Sequence, residues 1–218
     1  MAESARKRTN VASRGLSVDF VGGPVGHRFR FGGGRGQALP RAAGLTKGRT
    51  PKIVDATAGL GRDAFLLASL GAEVTLIERV PEVAALLAEG LARAKEAGPE
   101  YAAIVARMTL FVGDAREFLQ KFTPKVVLVD PMHPPRGNTA LVKQEMRQLR
   151  ELVGDDPDAL DLMRAALAAA SNRVVLKWPI HAPLLDGLPA PSHSIVGKST
   201  RYDVFVVERK TGFPPSRE

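Results

Sequence analysis

The 218-residue sequence predicts an α/β fold: a mostly parallel, seven-stranded sheet with helices on both faces and a terminal antiparallel hairpin. Three observations predict it. From residue 51 onward, short β-branched runs alternate with Ala- and Leu-rich stretches of helical length, the pattern of repeated βα units. Residues 125–129 (KVVLV) are almost continuously apolar, as in a parallel strand covered on both faces. Residues 53–65 (IVDATAGLGRDAF) read as a strand, a tight glycine turn and a helix, the opening of a βαβ unit.

The elements follow in order. Residues 1–15 are polar and basic and poor in large apolar side chains, so they read as a flexible tail. Residues 16–21 alternate like a strand and run into Gly22-Gly23-Pro24, a turn signal, with 27–31 as the returning partner of a hairpin. The glycine-rich stretch FGGGRGQ follows, either a connector or a loop whose backbone N–H groups and Arg35 meet an anion or a cofactor. The hairpin and this loop make up residues 16–50. Residues 51–210 form the main domain, and 211–218 a flexible terminus.

Within the main domain, strand 53–55 leads to a helix opened by Arg62. Residues 73–77 form a second strand ending in Glu78, and Pro81 suits the first position of the helix running to 97. A third strand over 108–112 precedes Gly113-Asp114 and a helix from 115 to 121. The fourth strand, 125–129, ends in Asp130-Pro131-Met132-His133-Pro134-Pro135. Helices are expected over 139–152 and 157–170, then a fifth strand over 173–177. Residues 193–196 and 202–207 supply the hairpin.

Composition narrows the function classes. There are no cysteines, which excludes disulfides and thiolate metal sites, and the four histidines show no metal-ligand spacing, so no metal is expected. No apolar run approaches the roughly 20 residues of a membrane span, which points to a cytoplasmic protein with no membrane partner. The net charge of +8 and pI near 10.1 suit a polyanionic partner or a solvated basic surface.

Three acids stand at successive strand ends: Asp55, Glu78 and Asp114. Gly59 and Gly61 lack a Cβ, so a ligand can lie against the backbone between them. In open α/β sheets ligands bind at the carboxyl ends of the strands, and an acid in the place of Glu78 can accept both ribose hydroxyls. A carboxylate at Asp114 can accept from an adenine amine. Together they point to a site for an adenosine-bearing cofactor. Asp-Pro-Met-His-Pro is similar to the Asp/Asn-Pro-Pro-aromatic signature of enzymes that methylate exocyclic amines of bases. An aryl amine is a poor nucleophile because its lone pair is delocalised into the ring. A carboxylate and a backbone carbonyl that accept its two N–H bonds localise that pair. This gives Asp130 and the Pro131 carbonyl orienting roles, with His133 as the flat group that stacks on the base.

Here the chain resembles the bacterial 16S ribosomal RNA guanine-N2 methyltransferases, the small single-domain class I type with a Rossmann-like sheet. The matching segments include VDFVGG (18–23), FGGGRG (31–36), VDATAGLGRDAF (54–65), IER (77–79), DPM (130–132), ALVKQEMR (140–147) and RYD (201–203), spread over residues 18–207. The resemblance implies S-adenosylmethionine as cofactor, with contacts at Arg62, Asp63, Glu78, Arg79, Asp114, Ala115 and Asp130. It implies small-subunit ribosomal RNA, or the ribosomal subunit, as partner. The chain departs from the family at His133, where an aromatic residue is usual, and in its shorter N-terminal region.

Candidate RNA contacts are Arg35, Lys143 and Arg147, which lie with Arg150 on one face of a helix, and Lys198 and Arg201 near the last hairpin. Trp178 is either core or a stacking platform. Two alternatives share part of the pattern. A NAD(P)-dependent oxidoreductase would use the glycine turn and Glu78 but leaves DPMHPP unexplained. An RNA-binding protein with a vestigial cofactor site explains the charge but not the intact strand-end acids.

Overall fold

The computed structural model describes residues 16–22, 25–28, 33–46, 48–131 and 158–207. The expected tail, the helix over 139–152 and the terminus from 211 lie outside the described residues. Seven strands form one sheet: β1 (Ile53–Asp55), β2 (Val74–Glu78), β3 (Met108–Val112), β4 (Val126–Val129), β5 (Arg173–Pro179), β6 (His193–Val196) and β7 (Thr200–Val206). Their order is β3-β2-β1-β4-β5-β7-β6. β1 to β5 run parallel, and β7 is antiparallel to both β5 and β6. The terminal hairpin is therefore present, with its second strand inserted beside β5.

Strand periodicity sorts the apolar residues into two cores. Ile53, Leu76, Val126, Leu128, Val175 and Val204 face one side. Val54, Ile77, Val127, Val129, Val174, Leu176 and Phe205 face the other. The first core is covered by α1 (Ala38–Ala42), α2 (Arg62–Ser69), α3 (Pro81–Glu96) and α4 (Pro99–Val105), the second by α5 (Ala115–Leu119) and α6 (Ala159–Ala169). Pro81 opens α3 as expected. Helices α1 and α4 fall outside the elements that the sequence predicts. In α4 a single side chain, Ile104, is buried, too little to carry a periodic signal.

The N-terminal hairpin does not form. Residues 16–22 belong to no strand, and 25–28 are helical. The alternation in 16–20 is real, because Leu16, Val18 and Phe20 are buried while Ser17 and Asp19 are exposed. The apolar side is satisfied by packing on the helices rather than by strand pairing. Phe20 stacks on Phe65 of α2 with ring centroids 4.6 Å apart. The Val18 carbonyl accepts from Arg93 Nη2 of α3 at 2.9 Å. Gly90 makes this approach possible: a Cβ there would lie 2.6 Å from Val18 Cβ and 2.9 Å from the Val18 carbonyl oxygen.

Gly90→Ala tests that contact. In an exposed helix the change would stabilise by about 1 kcal/mol. Here it is expected to destabilise by about 1–3 kcal/mol through overpacking, read as a lower urea midpoint. A raised midpoint would mean that residues 16–20 do not pack on α3.

Candidate active site

Parallel pairing places the strand ends side by side. Asp55 of β1 is in register with Leu76 of β2 and Leu128 of β4. Glu78 and Asp130 each follow those residues by two positions, so they stand on either side of the point where β1 ends. The chain leaves the sheet there as the loop 56–61, which is tied down residue by residue. Ala56 N–H donates to the Leu128 carbonyl at 2.9 Å and Ala58 N–H to the Ile77 carbonyl at 3.0 Å. Gly59 N–H donates to Glu78 Oε2 at 2.8 Å. Thr57 Oγ1 accepts from the Asp130 N–H at 2.7 Å.

Two recesses open on the sides of this loop and share Thr57, Gly59 and Asp130. The larger, about 430 Å³, is lined by Asp55, Arg62, Asp63, Lys177, Trp178 and Thr200 among others. The smaller, about 60 Å³, has apolar walls of Ile77, Ala115, Ala159 and Leu162 and polar lining that includes Glu78, Arg79 and Asp114. Gly59 has φ of +52°, and a Cβ there would meet nothing nearer than the Thr57 carbonyl at 3.9 Å. The loop backbone is thus open to the cleft, as a closely bound ligand requires.

The polar groups of the smaller recess form a network. Glu78 is buried, and its Oε1 accepts from Val80 N–H at 2.8 Å. Asp114 caps α5 by accepting from Arg116 N–H at 2.8 Å. The side-chain hydrogen bond from Arg116 is the main cause that holds the Asp114 carboxyl below its usual range. Arg79 Nη1 and Arg116 Nη2 both reach Asp158 Oδ2, at 3.0 and 3.1 Å. The carboxylate expected to face an adenine amine is therefore already engaged by Arg116.

In the larger recess, Lys177 Nζ lies 2.6 Å from Asp130 Oδ2 and 2.7 Å from Asp63 Oδ2. Asp63 Oδ1 also accepts from Arg28 Nη1 at 3.0 Å. Burial raises the Asp63 carboxyl, but Lys177 and then Arg28 outweigh it and hold the group below its usual range. Burial likewise pulls Lys177 down, yet Asp130 and Asp63 together raise it well above the usual lysine range. Asp55 differs. It is 3% exposed, and burial, with Asp63 and Asp130 nearby, pushes its carboxyl up to about 7 against the hydrogen bond from Thr57 N–H.

The structure brings most of the expected residues together and sets others apart. Asp55, Gly59, Arg62, Asp63, Glu78, Arg79, Asp114, Ala115, Asp130 and Pro131 line the cleft. Gly61 does not: a Cβ on it would meet Leu87 Cδ1 at 2.6 Å and Phe20 Cζ at 3.3 Å, so it faces the core. Arg35 is turned away from the cleft. Its guanidinium donates to the carbonyls of Thr46, Arg49 and Leu70 at 2.7, 3.0 and 2.8 Å and clips the end of α2 to the 46–49 turn. Arg201 binds buried Asp203 and the carbonyls of Pro179, Ile180 and Ala182. Both arginines hold the fold through these contacts. Lys198 is exposed in the β6–β7 turn, beside cleft residues Ser199 and Thr200. Trp178 is both core and cleft wall, with Nε1 donating to the Pro183 carbonyl at 2.7 Å. His133, Lys143, Arg147 and Arg150 lie outside the described residues. Sequence reasoning missed the cleft roles of Arg28, Thr57, Arg116 and Asp158, and of Lys177 it showed only that Lys177-Trp178-Pro179 ends the fifth strand near the site. A lysine ending a strand beside a Trp was the one visible signal among them.

Comparisons with known proteins bear on the family and the fold. Residues 3–207 match the family model described as "Putative SAM-dependent methyltransferase". The chain is 70% identical over 190 residues to a ribosomal RNA small subunit methyltransferase J of Agrobacterium fabrum, covering 87% of this chain and 91% of that one. It is 72% identical over 191 residues to the protein of the same name from Brucella anthropi, covering 88% and 93%. Among solved structures, a SAM-dependent methyltransferase from Neisseria gonorrhoeae superposes with a TM-score of 0.68 at 38% identity, covering 88% of this chain and 74% of that one.

The raised Asp55 carboxyl has a pH signature. Its folded value, about 7, lies above the unfolded 3.8, so folding favours its protonated form. Below pH 3.8 the group is neutral in both states and costs nothing. Between about 4 and 7 the wild type loses stability relative to Asp55→Asn, with a slope of at most about 1.4 kcal/mol per pH unit. Above 7 the difference is constant. Urea titrations of both proteins from pH 4.5 to 8 check this, and parallel curves would show that Asp55 is ionised without penalty.

Proposed function

The chain belongs to the S-adenosylmethionine-dependent methyltransferase family matched along residues 3–207, and from that premise we propose that it methylates the exocyclic N2 amine of a guanine in small-subunit (16S) ribosomal RNA. The name carried by relatives at 70% and 72% identity supports the substrate class. The observation that carries the chemistry is Asp130, which ends β4 between the two recesses and lines both. Neither alternative gains support from the relatives, and a vestigial site would not keep Asp55, Glu78, Asp114 and Asp130 at one sheet edge.

The residues present fit the cofactor. The open backbone at Gly59, the apolar walls of the smaller recess and the acid at the end of β2 form a cradle for an adenosine with its ribose on Glu78. Bound there, S-adenosylmethionine supplies an electrophilic methyl group on a sulfonium. The chain's own part is positional. Asp130 and the Pro131 carbonyl accept the two N–H bonds of the target amine and hold its lone pair in line with the methyl group. Trp178, Ser199 and Thr200 wall the side from which a flipped base enters. Lys198, exposed nearby, meets phosphate. A ribosomal RNA substrate places the reaction in the cytoplasm.

Tritiated methyl transfer to unmodified small ribosomal subunits, followed by nucleoside analysis, tests the function; label in any nucleoside other than N2-methylguanosine overturns it. Glu78→Ala is expected to weaken S-adenosylhomocysteine binding by about 1–3 kcal/mol in calorimetry, and unchanged affinity in a folded variant removes Glu78 from the site. Asp130→Ala is expected to lose about 10²-fold or more in rate at saturating cofactor. A near wild-type rate there would withdraw the amine-orienting role.

A further inference from the structure

The pairing of β4 with β5 sets Val129 against Leu176, so the next residues, Asp130 and Lys177, emerge side by side. The Lys177 ammonium lies between two carboxylates carried by separate elements, Asp130 after β4 and Asp63 in the first turn of α2. Asp63 is 12% exposed and fixed from its other side by Arg28. Asp130 is 40% exposed and projects into the cleft. The line Arg28–Asp63–Lys177–Asp130 thus runs from an acid held on both sides to the acid that faces the cleft.

We propose that Lys177 is a positioning residue for methyl transfer, whose ammonium fixes the orientation in which the Asp130 carboxylate receives the target amine. The proposal rests on the role of Asp130 proposed above. A carboxylate past the end of a strand can rotate about its side-chain bonds, and an amine held out of line by about 1 Å loses about 10²-fold in rate. An ion pair anchored at its far end by Asp63 removes that freedom. Stability alone does not explain the arrangement, because removing these partly buried charges from water offsets much of their mutual attraction. The two flanking carboxylates keep the lysine charged, so it acts as a fixed cation and not as a proton acceptor.

The test is Lys177→Met, assayed with small ribosomal subunits at saturating cofactor. The fold is checked by thermal melting and the cofactor site by S-adenosylhomocysteine calorimetry. Expected are an RNA KM within about threefold of wild type and, with cofactor saturation set from that calorimetry, a kcat lower by about 10²-fold. Lys177→Arg, which keeps the charge, is expected to recover part of kcat. In an Asp130→Asn background, where the lysine has no carboxylate to orient, Lys177→Met is expected to change kcat by less than about threefold. Should Lys177→Met fail to fold through the orphaned Asp63, Asp63→Asn/Lys177→Met removes that charge as well, and the same fall in kcat is expected. A kcat within about threefold of wild type, or an undiminished loss in the Asp130→Asn background, overturns the proposal. Failure of the Asp130 role itself is read separately, from the rate of Asp130→Ala alone.

Discussion

Strand β1 is three residues long and paired on both sides, with β2 and with β4, and the rest of the cleft depends on that pairing. All three residues are buried, so the chain can turn only where the sheet ends, immediately after Asp55. Both neighbours continue past that point. The loop 56–61 therefore fills a notch whose walls are the ends of β2 and β4, and it hydrogen-bonds to both. This is the switch point of an open sheet, where a cavity forms because adjacent chains diverge. Glu78 and Asp130 belong to the walls of that notch before they belong to any reaction.

Charge is the second constraint. Several acids converge on one sheet edge, and each is offset in its own way. Asp114 has Arg116, Asp63 has Lys177 and Arg28, and Glu78 has two backbone N–H groups. Among the described residues no buried side-chain nitrogen or oxygen lacks a partner. Asp55 has the Thr57 N–H, and the Lys177 charge that Asp63 and Asp130 already engage offsets it only in part, so burial pushes its carboxyl up to about 7. The cations that balance these acids come from parts of the chain far apart in sequence: Arg28 from the N-terminal segment, Lys177 from β5, Arg116 from α5.

The same constraint gives two basic residues a structural duty. Arg35 sits among glycines and Arg201 beside a hairpin turn, both plausible places for a phosphate contact. Each satisfies backbone carbonyls at turns and element ends, including Leu70 after α2 and Pro179 at the end of β5. A guanidinium carries five donors and suits either duty equally well. Its duty depends on which acceptors the fold brings within reach. Glycines divide in the same way: Gly59 is open to the cleft, whereas Gly61, two residues on and also left-handed, closes against Leu87 and Phe20.

The α/β class, the seven strands of the sheet, the helices that follow β1, β2 and β3, the helix before β5 and the strand-end acids are legible in the sequence. Those properties follow from hydrophobic period, turn residues and order along the chain, which are local. The alternation in residues 16–20 was equally visible, but whether it meets a strand or a helix was not, because burial of one side does not specify the partner. The tertiary structure decided that Val18 lies on Gly90, that Arg35 and Arg201 are internal clamps, and that Lys177 stands between Asp63 and Asp130. The last of these turns on register: the offset at which β5 pairs with β4 sets a lysine 47 positions away beside the acid that ends β4. Nothing local encodes that offset, which is fixed by the fit of both strands' side chains into the two cores at once.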